Sequence, residues 1–111
     1  MEDLDIQNKL RGFDYYTAHN HIGNYLNMLK STDIETLYLT AGLISEDDCL
    51  LNLIRTKLGE GEYHYFNFLL SVILSNDSPG SLRYTYLVRV TKELVKLYKG
   101  IKINLFDHGS K

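Results

Sequence analysis

Histidine, cysteine and clustered carboxylates are the side chains with which a small domain does acid–base, nucleophilic or metal chemistry, and this chain carries each of them. His19-Asn20-His21 sets two imidazoles two positions apart. On a helix such residues point about 200° apart, so they cannot hold one ion; on an extended segment they could share a face. A zinc ion wants three or four convergent ligands, and no His-x-x-x-His, Glu-x-x-His or paired-cysteine spacing supplies the others. The pair therefore reads as two polar residues at a helix junction. Cys49, the lone cysteine, follows Glu46, Asp47 and Asp48. Neighbouring carboxylates disfavour the thiolate, which is the nucleophilic form, and no general base is identifiable beside it. The three carboxylates fan out around a helix and read as a solvated helix start. Gly59-Glu60-Gly61-Glu62 has the glycines of a phosphate cradle but places anions where free amides are needed, and no Lys-Ser or Lys-Thr follows. No catalytic residue, cofactor or metal ligand is assigned on these grounds, and the expectation is a protein that is not an enzyme.

Charge is the stronger signal. The formal net charge is −2, yet residues 82–111 carry seven basic residues against two acidic ones, and residues 1–81 carry five against twelve. Such polarity concerns partners rather than fold. Arg89, Lys92, Lys96 and Lys99 step by three, four and three, so a helix puts them on one face, and Lys102 continues it. A stripe of this kind can grip phosphates, with Tyr84 and Tyr86 near enough to stack on bases. The competing reading is a solvated face opposite a core stripe, favoured because nucleic-acid-binding domains are usually basic overall. Thr40 to Ser45 followed by a helix faintly resembles a helix-turn-helix, but the end that would meet the bases carries Glu46, Asp47 and Asp48, which oppose phosphate.

The elements that position these groups follow from periodicity. Asp3 is placed to cap a first helix with Ile6, Leu10 and Phe13 on one face; the pattern breaks over Tyr15–His21 and resumes from Ala18 through Leu29, as one kinked helix or two. Thr32-Asp33-Ile34-Glu35 has the form of a capping box, with Ile34, Leu37, Tyr38 and Ala41 behind it. Ser45 is a second cap candidate, heading a helix whose buried stripe is Leu50, Leu51, Ile54 and Leu58 and which Gly59 ends. Glu62 to Ser75 is apolar nearly all round, as befits a central helix. Ser75-Asn-Asp-Ser-Pro-Gly-Ser81 is the clearest turn. Beyond it, Leu87, Val90, Leu94, Leu97 and Tyr98 run at helical spacing to a stop at Gly100, although 82–90 and 101–105 also alternate well enough to be strands.

With 111 residues and one proline the chain is read as a single globular domain, residues 1–111. One cysteine excludes an internal disulfide, and the acidic start is wrong for a secretory signal or transit peptide, so the expectation is a soluble, cytoplasmic protein with no membrane partner. The fold expected is all-α, a compact bundle of four to five short helices; the alternative is α+β with a small C-terminal sheet. The function expected is binding to another, basic protein, as a stoichiometric inhibitor of the immunity or antitoxin kind. The acidic surface of Asp33, Glu35, Glu46, Asp47, Asp48, Glu60 and Glu62 would do the binding. Nine tyrosines and no tryptophan fit a protein-facing surface. The alternative function is a small nucleic-acid-binding regulator using Arg89, Lys92, Lys96, Lys99 and Lys102. Homo-oligomerisation is compatible with either.

Overall fold

The computed structural model describes the backbone of residues 15–109 and the side chains of residues 16–100. Five helices follow one another: α1 (Tyr15–Met28), α2 (Ile34–Ser45), α3 (Asp48–Leu58), α4 (Glu60–Leu74) and α5 (Gly80–Gly109). Among the described residues there is no strand, and the architecture is an all-α bundle. The helix expected over Asp3–Phe13 lies outside the described residues.

Each helix buries one stripe. Ala18 and Ile22 come from α1, Leu37, Ala41 and Ile44 from α2, and Leu50, Leu51, Leu53 and Ile54 from α3. Phe66, Leu69, Leu70 and Ile73 come from α4, and Leu87, Val90, Leu94 and Leu97 from α5. All belong to one contiguous core, and burying each large side chain contributes roughly 1.5–3 kcal/mol. Helix α4 packs against α5, α3 and α2, which makes it the central member that its composition implied. Its apolar excess is not all inside, however: Tyr65, Phe68 and Leu74 reach solvent.

The helical reading of residues 82–90 prevails because only the 3.6-residue period continues into Leu94 and Leu97. A strand would have put Leu82 and Tyr84 on the same face as Val90, and both are exposed. The Pro79 carbonyl accepts the Arg83 amide at 3.0 Å and so starts the helix. The expected stop at Gly100 does not occur; α5 runs through it to Gly109, at the modest cost of a helical glycine, about 1 kcal/mol. Arg83 secures the corner before it. Its Nε donates to the Ile73 carbonyl at 2.6 Å, one of the orphan acceptors at the end of α4, and its guanidinium lies 3.8 Å from the Tyr38 ring centroid.

Two caps differ from the sequence expectation. The capping box at Thr32 does not form: α2 starts at Ile34 with Asp33 as its N-cap, and the Asp33 carboxylate takes the Thr36 hydroxyl at 2.9 Å instead of a backbone amide. Ser45 does not cap α3 either, because it is the last residue of α2 and its hydroxyl returns to the Gly42 carbonyl. The cap of α3 is Asp47, whose Oδ1 accepts the Leu50 amide at 3.1 Å. Gly59 does end α3 as expected, with φ of 98° and ψ of 172°, a region essentially reserved to glycine. Gly23 lets α1 approach α5 closely: a Cβ there would stand 3.3 Å from the Tyr98 ring, so the ring would have to give by a few tenths of an ångström.

Candidate functional site

Helix α1 presents two polar side chains beside its buried stripe. His21 and Tyr25 stand one turn apart and therefore share a face, and that face meets the start of α3. The His21 Nδ1 lies 2.8 Å from Oδ2 of Asp47, and the Tyr25 hydroxyl donates a hydrogen bond to the same oxygen. With the Leu50 amide on Oδ1, the carboxylate is engaged on both oxygens. Its side chain is 7% exposed, whereas that of His21 is 38% exposed. Asp47 is therefore not part of a partner-facing acidic surface, which corrects the sequence expectation. As an N-cap it turns its carboxylate inward over the first turn of its own helix.

Cys49 completes the cluster. One ring nitrogen of His21, a carboxylate oxygen of Asp47 and the Cys49 sulfur all lie within 4.8 Å of one another. The sequence identifies no general base beside Cys49; the fold brings an imidazole nitrogen of His21 within 4.8 Å of its sulfur. Residues two apart on a regular helix diverge, but Asp47 has φ of −90° and ψ of 89°, outside the helical region, and this lets its carboxylate converge with a side chain two residues on. Burial, then the hydrogen bond to Asp47, then the charges of Asp47 and Cys49 hold the Tyr25 phenol well above its ordinary titration range. Tyr25 is thus a neutral donor. The arrangement clips α1 to α3, and an imidazole, a carboxylate and a thiol standing together are a donor set suited to a divalent cation.

His19 goes elsewhere, as the helical angle requires. Its ring stacks on Tyr98 of α5 with centroids 4.1 Å apart and an interplanar angle of 16°. Its Nε2 is buried and has no hydrogen-bond partner among the described residues. A groove of about 490 Å³ runs alongside, lined by Asn20, Asn24 and Asn27 of α1 and Thr91, Val95 and Tyr98 of α5.

The remaining acidic candidates fall into two groups. Asp33, Glu35, Glu46 and Asp48 are exposed around α2 and the start of α3. Glu60 and Glu62 are exposed at the start of α4, about 21 and 18 Å along that helix from Leu74, at 1.5 Å per residue. Glu60 there pairs with Arg55 at 3.0 Å and with His64 at 3.6 Å. Glu62 shares a groove of about 410 Å³ with Lys57 and Lys96, so the field at that end is mixed.

The outer face of α2 went unnoticed in the sequence. Glu35, Leu39, Leu43 and Glu46 step by four, four and three and lie opposite Leu37, Ala41 and Ile44. Leu39 is 61% and Leu43 42% exposed. Gly42 sits beside them, and a Cβ there would reach Leu74 of α4 at 4.0 Å, so the half-exposed Leu74 extends the apolar strip across the seam. The detectable signal was leucine recurring at i, i+4 on the face that the core stripe leaves over.

On α5, Arg89, Lys92, Lys96 and Lys99 are all exposed. Lys96 contacts Glu93 at 3.6 Å, and Arg89 stands 5.4 Å over the Tyr86 ring. Of Lys102 only the backbone is described. Thr40 to Ser45, the segment with the outline of a helix-turn-helix, is the second half of α2. No helix among the described residues is long and apolar enough to cross a membrane. In comparisons with known proteins the chain shows no significant match to a family model, a curated protein or a solved structure.

Proposed function

We propose that the protein acts by stoichiometric binding to another protein, as a small inhibitor or neutraliser of the immunity or antitoxin kind, and that α2 is the binding face. The observation that carries this reading is the strip Leu39–Leu43, exposed on a helix whose other side is already buried, with Glu35 and Glu46 at its two ends. Among the described residues, Leu39 and Leu43 lie outside the buried core. Bracketed by carboxylates, they suit a partner that offers an apolar ridge flanked by Lys or Arg. Asp33 and Asp48 add to the same field, while Glu60 is paired with Arg55 and His64 and Glu62 shares its groove with Lys57 and Lys96.

The test is co-purification of tagged protein from its host's lysate with nuclease present, repeated with Leu39→Asp and with the pair Glu35→Lys and Glu46→Lys. A protein partner that is retained by the wild type, lost with Leu39→Asp, and bound about tenfold more slowly by the charge-reversed pair at low salt supports the reading. A partner captured equally by all three removes α2 from it.

A second reading rests on the exposed alignment of Arg89, Lys92, Lys96 and Lys99 along α5, which suits a phosphate backbone. It requires nuclease-sensitive binding whose affinity falls steeply with salt and with Lys96→Glu. Salt-insensitive binding ends it.

A further inference from the structure

We propose that His21, Asp47 and Cys49 form a binding site for one zinc-class divalent cation, with water completing the coordination shell. The donor set is the first ground. An imidazole, a carboxylate and a thiol together match zinc and its spectroscopic surrogate cobalt(II), whereas calcium and magnesium take oxygen ligands. Geometry is the second. The three donor atoms lie within 4.8 Å of one another. Ligands at about 2.0–2.3 Å from a tetrahedral ion stand roughly 3.3–3.8 Å apart, so admitting an ion opens the His21–Asp47 contact, now 2.8 Å, by about 0.5 Å and draws the sulfur in by at most about 1 Å, both within reach of side-chain rotation.

The surroundings are the third ground. The Leu50 amide and the Tyr25 hydroxyl hold the Asp47 carboxylate in place, the outer-shell support that ligating carboxylates normally have. His21 is the half-open side of the cluster, which gives an ion a path in and leaves room for water. Glu46 and Asp48, both exposed on either side of Asp47, add attraction for a cation. The balance of the step is simple. The imidazole binds in its neutral form, moving its proton to the nitrogen that faces solvent; Asp47 exchanges its contact with His21 for the ion; the thiol of Cys49 loses one proton to solvent. The site adjoins the outer face of α2 at Glu46 but shares none of its three ligands with it, so variants of His21 and Cys49 test the ion without altering Leu39, Glu35 or Glu46, and the reverse.

The experiment is titration of metal-free protein with cobalt(II), then zinc. The expected result is a thiolate-to-cobalt charge-transfer band that saturates at one equivalent and is displaced by zinc, with a thermal midpoint that rises on zinc addition. Cys49→Ser should abolish the band and the rise, and His21→Ala should weaken binding tenfold or more, both variants retaining the helical circular dichroism of the parent. Absence of the band in the wild type overturns the proposal. So does zinc binding of equal strength in the wild type, Cys49→Ser and His21→Ala, which would place the ion on exposed carboxylates instead.

Discussion

Removing the carboxylate of Asp47 is the most informative perturbation of the bundle. That group caps α3 through the Leu50 amide, accepts the Tyr25 hydroxyl and contacts His21. Loss of an N-cap costs about 1 kcal/mol. Loss of a hydrogen bond to a charged acceptor, leaving a part-buried phenol without one, costs about 1.5–3 kcal/mol. The His21 contact adds little, because that ring is more than a third exposed and the pair is screened. One oxygen serves both ring partners, so the costs overlap, and about 3 kcal/mol is expected for Asp47→Ala. At roughly 4 °C per kcal/mol for a domain of this size, the midpoint should fall by about 12 °C. Asp47→Asn keeps a capping oxygen and loses only the charge, so it should cost about half as much. The assay is urea unfolding followed by circular dichroism, in buffer containing a chelator so that bound metal plays no part. A cycle with Tyr25→Phe should show a coupling of about 1–2 kcal/mol. If Asp47→Ala lies within 0.5 kcal/mol of wild type (about the scatter on additive, uncoupled sites), or if Asn is as damaging as Ala, the clip does not hold α1 to α3 as argued.

Other perturbations probe single features. The Tyr25 phenol, held above its ordinary value near 10 by burial and by Asp47, keeps its proton in the folded state after the unfolded chain has lost it. Its contribution is therefore complete below about pH 10 and is lost as pH rises beyond, and Tyr25→Phe should show a shallower alkaline loss of stability in urea unfolding. His19→Phe keeps the stack on Tyr98 and removes a buried nitrogen that has no partner among the described residues. The cost of that nitrogen is about 1–3 kcal/mol, so the variant should be as stable as the parent or more so; a loss above about 1 kcal/mol in thermal unfolding refutes this. Gly59→Ala forces a side chain into φ of 98° and should cost about 1–3 kcal/mol, measured in the same way.

The bundle was legible because its stripes are regular: Leu50, Leu51 and Ile54, or Leu87, Val90, Leu94 and Leu97, declare a helical period without help from tertiary structure. The choice between helix and strand over 82–90 was not, because β-branched and aromatic residues there satisfy both periods locally and only the neighbouring stripe decides. The caps were half legible. Ser, Thr and Asp crowd both corners, and which of them turns its oxygen inward depends on where each helix starts. The His21–Asp47–Cys49 cluster was opaque. His21 and Asp47 lie 26 residues apart, and an i, i+2 pair looks divergent until the non-helical backbone of Asp47 is known. The outer leucines of α2, Leu39 and Leu43, were visible but passed unremarked beside the stripe of Ile34, Leu37, Tyr38 and Ala41, since hydrophobicity alone does not tell a buried face from an exposed one.

The corner between α3 and α4 has a bearing on how the length of this chain can vary. A single residue, Gly59, separates Leu58 from Glu60, and it is straddled by the Arg55–Glu60 pair and by Arg55 over the Tyr63 ring. One extra residue there has no loop to absorb it and would part Arg55 from Glu60 and Tyr63, shifting the start of α4 and with it the register of Phe66, Leu69, Leu70 and Ile73 in the core. The stretches 29–33 and 75–79 have slack, and extra chain in a loop costs only a few tenths of a kcal/mol. Insertions and deletions in related chains are therefore expected to gather at those two stretches and to spare the corner at Gly59. A glycine inserted after Asp77 should leave a folded protein where the same insertion after Gly59 does not, as circular dichroism and gel filtration would report.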